Sequence, residues 1–172
     1  MLQLIRTFWT ICRLQAGPQN LPKGRNLLIS VVLAGIIVDS FASSILIPKS
    51  SGLEILSTVA VYNILLLSAV YLLLKLIGYK ERGIQTLTAI AGSGLFISLV
   101  LLPGLIMMNS VEEQMKSFAF FILIDNVWRI AVNAQIFRHA LSISLLMAMI
   151  VSVSYLLLGV IVADFLLPVQ NH

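Results

Sequence analysis

Asp39, Asp125 and Arg129 are the residues in this sequence best placed to do chemistry, because each stands inside a long apolar run. An ionisable group deep in a bilayer costs about 2.5 to 3.5 kcal/mol unless it finds a partner, so such groups mark either an ion or proton path or an interhelical staple. Arg129 follows Asp125 by four residues, which sets the base one turn beyond the acid on the same helical face. Asp39 and Asp125 each lie eight positions from one end of their own runs, at Ile47 and Ser117. Antiparallel helices would bring them to similar depth. The three residues are therefore predicted to form one interhelical cluster in the outer half of the bilayer, with Asn126 and Asn133 as hydrogen-bonding neighbours. A relay needs ionisable groups through the whole depth. Only Arg138 and His139 follow Arg129, at the opposite surface, so a structural staple is favoured and a proton or ion path is the alternative. Asp164, near the end of the last run, reads as interfacial.

Other chemistry finds little support. The sequence has no His-Glu-x-x-His, no Gly-x-Ser-x-Gly and no Gly-rich loop followed by Lys-Ser/Thr. AGSG at 91–94 lies inside an apolar run with no strand before it. His139 and His172 are separated by a whole apolar segment, and the one cysteine, Cys12, excludes an intramolecular disulfide and a multi-cysteine metal site. No nucleophile has a base beside it. A non-enzymatic protein without cofactor or metal is expected.

The elements that must position the cluster follow from composition. Of 172 residues, 59% are hydrophobic and 10% charged, with a mean hydropathy of +1.03, whereas soluble domains carry about a quarter charged residues. A soluble fold of this size could not hide so much apolar surface. An all-α integral membrane protein is predicted, its apolar side chains facing lipid and one another. The net charge of +4 and pI near 9.5 then suit helix orientation and contact with anionic headgroups. The lipid bilayer, and not nucleic acid, is the expected partner.

Five segments approach the roughly 20 apolar residues that a bilayer requires: 26–47, 53–77, 84–107, 117–137 and 141–167. Pro48 and Pro168 stop the first and last, and 168–172 form a tail. The fourth is polar, and only Arg138, His139 and Ala140 separate it from the fifth, so a re-entrant or tilted helix is a possible alternative. An N-in arrangement places Arg6, Arg13, Lys23, Arg25, Lys75, Lys80, Arg82 and Arg138 on the cytoplasmic side, against Lys49 and Lys116 outside. The C-terminus is then external, in the periplasm if the membrane is a bacterial inner membrane.

Ahead of these spans, residues 1–16 are amphipathic. Gln3, Arg6, Thr10 and Arg13 share one helical face, while Leu4, Ile5, Phe8, Trp9 and Cys12 take the other. The polar interruptions exclude a signal-peptide core. Arg6, Phe8, Trp9 and Arg13 are predicted to anchor a helix at the membrane surface, the alternative being that the apolar face packs on the protein's own helices. Residues 17–25 form a basic elbow in which Gly17, Pro18 and Pro22 prevent a surface helix from running straight into a spanning one.

Small residues supply packing surfaces: Ser144, Ala148 and Ser152; Tyr155, Gly159 and Ala163; and Thr88, Gly92, Gly94 and Ser98. The Pro-containing lead-in, the closely spaced spans and the stretch GYKERGIQTLTAIAGSGLFISLVLLPG at 78–104 resemble the bacterial branch of the Yip-domain family. There a basic, glycine-bearing loop precedes a small-residue-rich helix ending in proline. The acidic motif of eukaryotic members is absent, which leaves their small-GTPase partnership without support. The resemblance implies a non-enzymatic multispanning factor in membrane organisation, trafficking or complex assembly. The leading expectation is thus a membrane scaffold or accessory subunit with a membrane-protein partner or a second copy of itself; the alternative is a small transporter or channel component using Asp39, Asp125 and Arg129.

Overall fold

The computed structural model describes residues 2–46, 50–108 and 114–166. Pro48, Lys49 and the 168–172 tail, with His172, lie outside them. The elements are α1 (Leu2–Cys12), α2 (Arg25–Leu46), α3 (Gly52–Leu76), α4 (Gly83–Met108), α5 (Gln114–Leu141) and α6 (Leu145–Leu166), with single 3-10 turns at Pro18–Asn20 and Lys80–Arg82. Helices α2 to α6 are long and apolar enough to cross a membrane. The protein is an all-α membrane bundle.

The described ends of these helices explain its regularity. Ser51 and Glu54 form a capping box that starts α3, meeting two backbone donors that a helix leaves unpaired. Pro103 sits within α4 without ending it. The fourth span is one continuous helix of 28 residues, so no re-entrant break occurs. Its end differs from the sequence expectation, since Arg138 to Leu141 continue α5 and the chain turns at Ser142, whose φ is 55°. Arg82 holds that corner: its Nη1 donates to the carbonyls of His139 and Ala140 at 3.2 and 3.1 Å and to Ser142 Oγ at 2.9 Å. A cation on the last carbonyls of a helix satisfies orphan acceptors and its dipole together.

The five long helices close a ring in the order α2, α4, α5, α6, α3 and back to α2, and α3 also reaches α4. We call the end bearing Arg25, Lys75, Lys80, Arg82 and Arg138 the basic end. Fully buried side chains concentrate in that half, among them Leu74, Ala89, Val132, Ile136, Phe137 and Ala148. Outward faces carry exposed apolar residues such as Leu76, Leu146 and Phe165, as lipid contact requires.

Helix α1 turns part of its apolar face onto the protein's own helices, the alternative to a face buried in the membrane surface. Phe8, Ile11 and Cys12 are buried against α4 and α5. Cys12 Sγ lies 4.0 Å from the Ser93 carbonyl, and a Cβ on Gly92 would meet the Phe8 ring. Phe8 and Cys12 are about 6 Å apart along α1, yet their partners on α4 are adjacent, so α1 crosses α4 steeply. Gly92 is about 14 Å along α4 from Gly83. Trp128 Nε1 donates to the Cys12 carbonyl at 3.1 Å, fixing the crossing on α5. Arg6, Trp9 and Arg13 remain exposed, so the anchor positions divide: Phe8 belongs to the protein core, the other three to the outer face. Trp9 packs on Phe96 with ring centroids 5.6 Å apart, and Arg13 lies over the Trp9 ring.

The elbow is packed onto the basic end. Gly17 and Pro18 are buried while Pro22 is exposed. Gln85 Nε2 donates to the Leu21 carbonyl at 2.6 Å. A Cβ on Gly17 would lie 2.8 Å from the His139 ring, a close approach that requires glycine.

Candidate functional site: a charged network in the ring cavity

The ring lines a cavity of about 1180 Å³ that reaches from within the basic half to the far ends of the helices. Its floor includes Val31, Leu67 and Ile90, and it runs to Leu46, Glu54, Leu105 and Leu166 at the far ends of four helices. Ile90 is about 10 Å along α4 from Gly83. Nearer the basic end, fully buried Leu74, Ile136 and Phe137 fill the ring.

Asp39, Asp125 and Arg129 all line it. Arg129 Nε donates to Asp125 Oδ1 at 2.8 Å, the one ion pair among the described residues. Asp39 belongs to the cluster by a different route. Arg129 Nη2 donates to Ser98 Oγ at 2.9 Å, and Ser98 Oγ donates to Asp39 Oδ1 at 2.9 Å. The hydroxyl acts as acceptor and donor at once, and joins α5 to α2 across α4.

Asn126 and Asn133 both line the cavity, but neither hydrogen-bonds to the cluster as expected: Asn126 Nδ2 is turned back to the Ile122 carbonyl at 2.8 Å. Asp164 is exposed near the far end of α6, as an interfacial group would be.

No family model, curated protein or solved structure matches the chain. The site is therefore read from its own chemistry.

The small residues around the site do three different jobs. Ala148 and Ser152 are buried, and Ser152 Oγ donates to the Ile130 carbonyl at 2.8 Å, tying α6 to α5. Gly159 is buried under Tyr62, whose hydroxyl would lie 2.8 Å from a Cβ there; this contact joins α6 to α3. Ser144, expected in the same packing stripe, is exposed instead and accepts from Met147 N at 3.4 Å at the start of α6. Gly94 lines the cavity, where a Cβ would make ordinary contact with Arg129 Nη1 at 3.6 Å.

Proposed function

We propose that the protein is a non-enzymatic multispanning membrane scaffold or accessory subunit, working in membrane organisation or in the assembly of another membrane complex. The observation that carries this reading is the Asp39–Ser98–Arg129–Asp125 chain, which ties α2, α4 and α5 together inside the ring. The cavity stops short of the basic end, where Leu74, Ile136 and Phe137 are fully buried, which suits a staple better than a relay through the membrane. The Yip-like pattern at 78–104 points the same way. A bacterial inner membrane, a cytoplasmic N-terminus and a membrane-protein or homo-oligomeric partner complete the proposal.

Transport or channel work is the second reading, favoured by the placement of the same charges in a large cavity. Reconstituted vesicles separate the two. The scaffold reading expects no ion or proton flux from the purified protein and a stoichiometric membrane partner in gentle-detergent purification. Flux in the wild type that is lost in a stably folded Asp39→Asn, Asp125→Asn, Arg129→Gln triple variant would overturn it.

Orientation is tested separately. The basic end carries Lys75, Lys80, Arg82 and Arg138, and basic loops stay cytoplasmic. Reporter fusions after Arg82 and after His172 are expected to report opposite sides of the membrane. Both reporters on one side would require a span to be lost.

A further inference from the structure

We infer that the ring cavity is a binding site for an organic monocation, an alkylammonium head carried on an apolar body. This goes beyond the scaffold reading and does not depend on it. The first argument is charge. The cluster holds two carboxylates and one guanidinium, so with all three ionised it carries one uncompensated negative charge at the cavity wall. A site with more carboxylates than cations favours a bound cation over a neutral or anionic ligand.

The second argument is hydrogen bonding. Asp125 and Asp39 each use Oδ1 within the network, toward Arg129 and Ser98 respectively. Their Oδ2 atoms have no protein donor among the described residues. An ammonium presents three donors and no acceptor, which suits the free acceptor oxygens of Asp39 on α2 and Asp125 on α5. Arg129 is already committed through Nε and Nη2.

The third is shape. Beyond the charged level Leu101, Leu102, Leu105, Phe121, Leu156 and Val160 form an apolar side of the wall that suits an apolar body, while Ser43, Thr58 and Glu54 line its other side. Tyr62 and Tyr155 also line the cavity. A bare metal ion fits less well: among the described residues no group of three or more His, Cys, Asp or Glu could hold one.

The test uses the full chain in a non-ionic detergent, with hexylammonium as probe and hexanol and hexanoate as matched controls. Hexylammonium is expected to raise the melting temperature in a saturable way, with the two controls giving no saturable shift. Asp39→Asn removes the excess charge while keeping an acceptor for Ser98, and is expected to weaken hexylammonium binding about tenfold or more, as loss of a charge-assisted contact does. In the neutral triple variant, with its folding checked by its own unfolding transition, the amine shift is expected to vanish. An equal shift from hexanol would mean that the cavity recognises only apolar bulk. A larger shift from hexanoate would make Arg129 the recognition group. Either result, no amine shift at all, or an unchanged amine affinity in Asp39→Asn, overturns the proposal.

Discussion

Arg129→Ala is expected to destabilise the protein by about 1 to 3 kcal/mol, because it leaves Asp125 without its counter-charge and Ser98 without its donor. The full penalty for stranding a buried charge, about 3 to 5 kcal/mol, does not apply. The Arg129 and Asp125 side chains retain 31% and 26% of their accessible surface, and water reaching them screens the loss. Replacing all three charges, with Asp39→Asn, Asp125→Asn and Arg129→Gln, is expected to recover most of the stability despite removing more polar contacts. The three amides can hydrogen-bond with one another and with Ser98, and no charge is left unpaired. Thermal unfolding in one detergent measures both variants. A triple variant less stable than Arg129→Ala would show that the network stabilises through its charges and not merely by avoiding stranded ones.

The legibility of this cluster from sequence has a physical basis. A four-residue spacing defines a helical face, and counting from span ends defines depth, so Asp39, Asp125 and Arg129 could be placed together without coordinates. Ser98 could not. A serine inside an apolar helix commonly bonds its own backbone, as Ser93 does to the Ile90 carbonyl at 3.2 Å, and nothing local marks Ser98 as the one that reaches across helices. Arg82 shows a related limit: as a loop charge it served topology counting, whereas its contacts make it the cap of α5. The cavity was also illegible, because it arises from how five helices close a ring and no segment pattern encodes that closure. For α1 the apolar face was visible, but lipid and a neighbouring helix are equally apolar surroundings. What distinguishes them here is the absence of a side chain at Gly92, a property of the partner helix.

That docking yields the second large expected effect. Gly92→Ala improves helix propensity by about 1 kcal/mol, so in an unpacked helix it would stabilise. Here the added Cβ would lie 2.5 Å from Phe8 Cζ and 2.7 Å from Phe8 Cδ1, well inside contact distance, and α1 must lift or tilt. Cys12 reports the movement, being the sole cysteine and buried in the docked state. Burial pushes its thiol from the ordinary 9.0 up to about 12, partly opposed by the positive charge of Arg129. The thiolate is the reactive form, so at pH 8 the docked cysteine should alkylate slowly for two reasons, access and protonation. Gly92→Ala is expected to accelerate maleimide labelling of the folded protein about tenfold or more, since release lowers the pKa and opens the path. Phe8→Ala should also accelerate it, by deleting the ring that seats α1. The combination of the two should label more slowly than the sum of their effects predicts, because the alanine methyl at 92 then enters space that the ring has vacated. Trp9→Ala should leave the rate near that of the wild type, as its exposed ring holds only one side of Phe96. Fast labelling of the wild type, or equal acceleration by Trp9→Ala and Phe8→Ala, would return α1 to the membrane surface and leave Gly92 without a role in holding it.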